Sequence, residues 1–303
     1  EQSFMINVSN TNDAPLFTSV PDTSAVEDAE YSYAMEASDI DEGDELTYTA
    51  QTLPGWLTFD GGSIISGTPT NDDVGDHSVV LMVTDNAGAT DEQSFIINVS
   101  NTNDAPFFTS TPTTSAIEDA EYSYQVTSAD IDVGDILSIS GEYPGWLILV
   151  DNGDGTAGLS GTPTNDDVGD HSVVLMVTDN SGATDEQSFM INVSNTNDAP
   201  FFTSTAIEEA TEDVAYTYTV TASDVDVGDE LTFAVPTLPD WLTYDIGTQV
   251  LSGTPTNDEV GGHSVVLTVS DGFVTVTQEF TITVENTNDA PFFTSTPTTS
   301  AIE

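Results

Sequence analysis

The sequence predicts an all-β protein, a linear array of tandem Greek-key β-sandwiches, and three observations carry that expectation. A block of motifs recurs with a period of roughly 90 residues, the size of one small domain. Inside each period, short runs of alternating apolar and polar residues are separated by turn residues at intervals of roughly 8–12 positions. Helical periodicity and helix caps followed by apolar stripes are missing.

The period rests on three signatures. Asn-Thr-Asn-Asp-Ala-Pro begins at Asn10, Asn101, Asn195 and Asn286. Pro-Gly-Trp-Leu or Pro-Asp-Trp-Leu brings Trp56, Trp146 and Trp241, and Ser-Gly-Thr-Pro-Thr-Asn brings Gly67, Gly161 and Gly253. Residues 13–104, 105–198 and 199–289 are therefore read as three sandwiches. Residues 1–12 are expected to end a preceding repeat and residues 290–303 to start a following one. Residues 1–15 are identical with 186–200, and 101–118 with 286–303, which points to a segment of a longer array. The second copy is longer around Asp151-Asn152-Gly153-Asp154-Gly155, turn chemistry that reads as a longer loop.

The strands follow in order. In the first copy Tyr31, Tyr33, Met35 and Ala37 alternate with polar residues, as do Leu46, Tyr48 and Ala50. Ser78 to Thr84 encloses Val-Val-Leu-Met-Val, suited to a central core strand, and Phe95, Ile97 and Val99 alternate before the linker. About seven strands per copy fit an immunoglobulin-like Greek key.

Charge bounds the partners. The chain has 303 residues, no Lys, no Arg and 53 acidic side chains, a formal charge of −53. Like charge alone works against a compact state. Yet hydrophobic residues make up 37% and aromatics 9%, and the acids are dispersed and positioned, unlike a disordered acidic tail. Such a chain folds with cations. Nucleic acid is excluded as a partner, because nothing basic can meet a phosphate. Insertion into a membrane is excluded as well, since no apolar stretch approaches the ~18 residues that span a bilayer. Without cysteine there are no disulfides and no thiolate metal sites.

The informative acids keep fixed positions relative to the strands. Glu27-Asp28, Glu118-Asp119 and Glu212-Asp213 precede a strand, and an Asp-x-Asp-x-Gly-Asp loop follows it. That loop holds Asp39, Asp41 and Asp44, then Asp130, Asp132 and Asp135, then Asp224, Asp226 and Asp229. Asp85, Asp179 and Asp271 end the central strand, and the linker brings Asn101, Asn103 and Asp104 in its second occurrence. Calcium takes six to eight hard oxygen ligands from carboxylates, Asn side chains and carbonyls, which this pattern offers. Zinc asks for clustered His or Cys, and neither occurs.

The linker resembles the cadherin linker Asp-x-Asn-Asp-x-x-Pro, and Ala37 to Tyr48 resembles the cadherin Asp-x-Asp region leading into a Tyr-bearing strand. Leu53 to Asp60 and Ser66 to Asn71 are similar to dystroglycan-type cadherin-like and Ig-like modules of bacterial surface proteins. The resemblance covers all three copies. It implies calcium at each domain junction, stiffening the array. Carried over by position, it implies Glu27, Asn101, Asn103, Asp104, Asp130, Asp132 and Asp179 at one junction. It implies Glu118, Asn195, Asn197, Asp198, Asp224, Asp226 and Asp271 at the next. At Asn103 and Asn197 the expected ligand is the backbone carbonyl. The first linker adds Asn12 and Asp13 with Asp39, Asp41 and Asp85, and the last adds Glu212, Asn288 and Asp289. Where cadherins carry Asp-Arg-Glu this chain has Asn71-Asp72-Asp73, and one of those acids is expected to substitute, with Asp73 and its counterpart Asp167 as the candidates. Three ions or fewer are expected per junction.

Other residues read as structural. His77, His171 and His263 precede the central strand with no nucleophile beside them. The Trp residues suit the core better than a sugar-stacking shelf, and Asn7, Asn98 and Asn192 are chance glycosylation matches. Paired acids repeated in every copy suit architecture better than a glycosidase site, so no enzyme is expected. The expected function is a calcium-stiffened stalk of a bacterial adhesin, biofilm component or surface fibre, extracellular, on the cell surface or secreted. The rival is a module that binds polysaccharide or a like domain on another cell.

Overall fold

The computed structural model describes residues 1–300; residues 301–303, in the stretch expected to start a following repeat, lie outside the described residues. The chain falls into two compact units. One holds residues 1–113, 123–160 and 172–190, and the other holds 114–122, 161–171 and everything from Ile191 on. The first repeat thus lies wholly in one unit and the third in the other, and the second contributes to both.

In the first repeat the strands are β1 (Leu16–Phe17), β2 (Ser24–Val26), β3 (Tyr31–Ala34), β4 (Ala37–Ser38), β5 (Thr47–Thr52), β6 (Thr58–Phe59), β7 (Ile64–Gly67), β8 (Gly75–Thr84) and β9 (Thr90–Ser100). One sheet has the order β2-β9-β8-β5, the facing one β3-β7-β6, and β1 pairs with β4. β2 runs parallel to β9, Ala25 opposite Val99, while β8 and β9 form a long antiparallel hairpin. The nine segments reduce to the expected seven strands on two counts. β1 and β2 are one strand that changes sheet past Pro21, and β3 and β4 are one strand interrupted at Met35-Glu36. In the second repeat the corresponding segment, Tyr122–Ala129, is continuous.

Alternation puts one face of each strand inside. Tyr31, Tyr33, Met35, Leu57, Ile65, Val79, Leu81, Ile97 and Val99 form the core of the first repeat. Tyr216, Tyr218, Val220, Leu242, Leu251, Val265, Leu267, Ile282 and Val284 do so in the third. That repeat has the same arrangement, with Glu209–Thr211 parallel to the last strand Thr275–Glu285. The extra length of the second repeat does not make a longer loop, as expected from sequence. It lengthens a hairpin: Leu147–Asp151 and Thr156–Gly161 replace strands of two and four residues in the first repeat. The added residues extend the antiparallel ladder, and the turn itself stays tight, Asn152 N–H donating to the Thr156 carbonyl at 3.0 Å.

The repeat ends depend on partners. Glu186 to Ser194 lies in the strand Thr184–Ser194, whereas its identical copy, residues 1–9, forms no strand and leaves Phe4 80% exposed. Phe107–Phe108 is a strand, and the identical Phe292-Phe293 is not. A strand exists only where a neighbour supplies the ladder, and neither terminal segment has one among the described residues.

Candidate metal centre

Glu27, Asp39 and Asp85 each directly follow a strand, whereas Asp41 and Asp44 lie in the loop and Asp104 in the linker. Glu27 closes β2: its N–H donates to the Ser100 carbonyl at 3.0 Å, and the next residue, Asp28, turns with φ 59°. The side chain is thereby drawn inside, 3% exposed, and its Oε2 accepts the Thr102 N–H at 3.1 Å. The linker then passes over the loop of the second repeat. Asp104 N–H donates to Asp132 Oδ2 at 2.7 Å, and Asn103 Nδ2 donates to Asp179 Oδ2 at 2.8 Å. Glu27, Asp104 and Asp132 end with one carboxylate oxygen each, all within 4.8 Å of one another. Glu27 and Asp104 line a cleft of about 300 Å³ together with Asp28, Asn71, Asp72 and Ile131.

The other unit repeats the arrangement. Glu118, 2% exposed, accepts Thr196 N–H at 3.2 Å, and Asp198 N–H donates to Asp226 Oδ2 at 2.7 Å. Glu118, Asp198 and Asp226 again lie within 4.8 Å. Asn197 Nδ2 donates to Asp271 Oδ2 at 2.9 Å. At the first linker, Asn12 Nδ2 donates to Asp85 Oδ2 at 2.8 Å and Asp13 N–H to Asp41 Oδ2 at 2.7 Å. At the last, Glu212, Asp213 and Asp289 approach one another, and Asn288 Nδ2 donates to the Asp289 carbonyl.

A second kind of cluster lies within the loop itself. Asp39, Asp44 and Asp85 come within 4.8 Å in the first repeat, and Asp130, Asp132 and Asp135 in the second. Asp85 and Asp179 are fixed by their Oδ1 atoms, each of which accepts three backbone N–H groups of the following turn at 2.5–2.9 Å. The Oδ2 atoms of Asp39, Asp44, Asp130, Asp135 and Asp224 are buried and accept no hydrogen bond.

Not every candidate joins these groups. Asp73 and Asp167 turn back into their own short helical turns, each accepting the backbone N–H and hydroxyl of Thr70 or Thr164 at 2.9–3.0 Å. It is Asn71 that reaches the next repeat, donating to Asp132 Oδ1 at 3.1 Å, and Asn165 does the same to Asp226 Oδ1 at 2.8 Å. Asn101 and Asn195 are exposed and line open grooves beside the clusters. Conversely, the third acid of each loop, Asp44 or Asp135, belongs to the loop cluster although the linker resemblance does not single it out. The repeated Gly-Asp that ends the loop motif was its sequence signal.

Protonation follows the surroundings. Burial, then the facing aspartates, raises Asp44, Asp135 and Asp229 above the ordinary carboxylate value of 3.8. Burial, then Asp132, does the same to Asp104. Amide donors hold Asp41, Asp85 and Asp179 below it, from Asn10, Asn12 and Asn103, and for Asp271 the Val274 N–H is the main cause. The raised groups keep protons in the folded state that the unfolded chain releases, so they add stability as pH falls toward 3.8. The lowered groups act oppositely: their contribution is present above 3.8 and disappears as pH falls through their folded values. In chelator, the melting temperature is therefore expected to rise as pH falls toward 3.8 and to drop below it, which a calorimetric pH series reads directly.

The donor set fits calcium. Its atoms are carboxylate and amide oxygens, several buried without any partner, in a chain that has no Lys or Arg to neutralise them. The other singled-out residues are structural. Trp56 packs edge-on against Tyr31 and His77 at 5.8 and 6.0 Å, and Trp241 against Tyr216 and His263 at 5.7 and 5.9 Å. His77 Nε2 donates to the Asp73 carbonyl at 2.6 Å. Among the described residues no helix is long and apolar enough to cross a membrane.

The family model described as putative Ig domain matches residues 14–100, 105–194 and 199–285. No curated protein matches the chain. Among solved structures, extracellular cadherin domains 1–5 of protocadherin gamma B2 are 17% identical, over 91% of this chain and 60% of that one, with a TM-score of 0.59. The protocadherin gamma B4 extracellular domain is 19% identical, over 92% and 50%, with a TM-score of 0.56. At these identities the likeness concerns the fold alone. An endo-fucoidan hydrolase of glycoside hydrolase family 107 is 28% identical over 92% of this chain and 45% of its own, with a TM-score of 0.33, too low to carry an argument. The chain thus spans about half the length of the solved chains it matches.

Proposed function

The chain belongs to the putative Ig domain family, and from that membership we propose that it is a calcium-stiffened spacer of an extracellular surface protein, with no catalytic role. One observation carries the reading: Glu27 of one repeat, Asp104 of the linker and Asp132 of the next repeat share a single group of carboxylates. Three acids drawn together from two domains and their joint repel one another unless a cation lies among them. Glu27, Asp104 and Asp132, with Glu118, Asp198 and Asp226 at the following junction, would hold the ion. Bound there, calcium supplies positive charge and a link between repeats. The chain's own residues do the rest. Pro106 and Pro200 stiffen the linker, while Asn103 and Asn197 hold the strand-end aspartates.

The rival reading, a glycan-binding module, needs an open aromatic face, and the edge-packed rings of Trp56 and Trp241 argue against it. Small-angle scattering tests the spacer. Its maximum dimension is expected to grow and its distance distribution to sharpen when calcium replaces chelator. Identical profiles in the two conditions would sink the proposal.

A further inference from the structure

The second repeat carries an Asn-Gly step that the other two lack, at the tip of its lengthened hairpin. The turn between Leu147–Asp151 and Thr156–Gly161 reads Asn152-Gly153-Asp154-Gly155, and Asn152 is the one asparagine of the chain that glycine follows. Asparagine is among the thermolabile residues, and Asn152 and Gly153 are both exposed. The Asn152 side chain is held by its Nδ2, which donates to Thr156 Oγ1 at 2.9 Å. The Gly153 N–H donates to Asp151 Oδ1 at 3.0 Å, so a carboxylate stands at the backbone nitrogen that follows the amide.

Two other turns supply an internal comparison. Ala87 N–H donates to Asp85 Oδ1 at 2.9 Å, and Ser181 N–H donates to Asp179 Oδ1 at 2.9 Å. All three turns are Asp-Asn-X with the same hydrogen bond, and Asn86 and Asn180 are exposed like Asn152. What differs is the third residue. The Cβ of Ala87 or Ser181 crowds its own nitrogen, whereas Gly153 has none, and its φ of 74° suits glycine. The surroundings leave it open too, since a Cβ built there meets nothing within 4 Å.

We propose that Asn152 is a self-modification site, at which the chain's own backbone converts an asparagine into aspartate or isoaspartate. The Gly153 nitrogen attacks Asn152 Cγ and gives its proton to the Asp151 carboxylate. The Cγ–Nδ2 bond breaks, and the amide nitrogen leaves as ammonia with that proton, which closes a cyclic imide. Water then opens the ring. Breaking the bond from the Gly153 nitrogen to Cγ gives aspartate. Breaking its bond to the Asn152 main-chain carbonyl carbon gives isoaspartate. Isoaspartate adds a carbon to the backbone of the turn, where Asn152 N–H and the Thr156 carbonyl now meet at 3.0 Å. Either product adds a negative charge between Asp151 and Asp154. The second repeat therefore loses stability with age, and the first and third do not.

The test incubates the folded full chain and follows each asparagine by peptide mass spectrometry, with isoaspartate identified by backbone fragmentation. Conversion at Asn152 is expected to run roughly tenfold faster than at Asn86 or Asn180, to quicken as pH rises, and to yield both products. Gly153→Ala should slow it to the rate of Asn86. Calorimetry of the aged parent should show one transition displaced downward, and aged Asn152→Gln should keep its fresh profile, because its longer side chain closes a ring far more slowly. Conversion at Asn152 no faster than at Asn86 and Asn180 overturns the proposal. Conversion seen only in denaturant overturns it as well, since the folded hairpin would then protect the site. If Gly153→Ala disturbs the turn through its positive φ, Asn152→Gln leaves Gly153 in place and carries the comparison, and an age-dependent loss that persists in it counts against the site.

Discussion

Replacing Gly67 by alanine is expected to unfold the first repeat at temperatures where the others stay folded. Gly67 ends β7, opposite Tyr31 of β3, where the Trp56 backbone crosses directly above it. A Cβ there would stand 1.9 Å from the Trp56 carbonyl oxygen and 3.2 Å from Leu57 Cα. Both are backbone atoms, so no side chain can rotate away. Overpacking a core side chain costs about 1–3 kcal/mol, and a clash with backbone should cost at least about 3 kcal/mol. Gly253 has the same relation to the Trp241 carbonyl, at 2.0 Å, so Gly253→Ala should do to the third repeat what Gly67→Ala does to the first. Gly55, in the same Pro-Gly-Trp turn, has nothing within 4 Å of a built Cβ, and Gly55→Ala should stay within about 0.5 kcal/mol. Calorimetry resolves the outcome as one displaced transition. A Gly67→Ala variant that melts with the parent would show that the Ser-Gly-Thr-Pro motif has some other purpose.

Calcium removal is expected to have the next largest effect. A ligand at a hundredfold excess over its dissociation constant adds about 2.7 kcal/mol for each site it fills in the folded state. For a domain of this size 1 kcal/mol corresponds to roughly 4–8 °C. One filled site per repeat therefore shifts melting by roughly 10–20 °C between chelator and saturating calcium. The control is sodium chloride at matched ionic strength. Screening weakens repulsion among the exposed acids over about 10 Å at 0.1 M salt, but it cannot replace an ion among carboxylates that meet within 4.8 Å. If sodium chloride alone reproduces the shift, the phased acids are a solvated acidic surface and nothing more.

The two classes of acid were separable in the sequence because strand positions fix turn positions. Asp39, Asp85 and Glu27 sit at strand ends in every copy, and the fold brings Asp39 beside Asp85 and Glu27 beside Asp104 and Asp132. Asp73 shows the limit. From its spacing it stood as well placed as Asn71, yet a three-residue turn folds its carboxylate back onto Thr70 and leaves Asn71 to cross the linker. Local capping decides such a choice: Thr70 and Asp73 form a capping box, Thr-x-x-Asp in the sequence, which keeps Asp73 in its own turn. Asp44 is the converse case, visible as a repeated residue but brought beside Asp39 and Asp85 only by the fold.

What the sequence alone determined is the repeat, the alternation that makes each copy a sandwich, and the excess of acids over any basic partner. These are properties of composition and of short-range periodicity, which survive without contacts. What only the tertiary structure decided is which of those acids meet, and whether a given stretch is a strand at all. Glu186 to Ser194 and residues 1–9 are the same nine residues, one in a sheet and one not, because a ladder needs a neighbour that residue order cannot supply. Glu27 and Asp132 likewise meet within 4.8 Å only after β2, the linker and the next repeat have folded around a common joint.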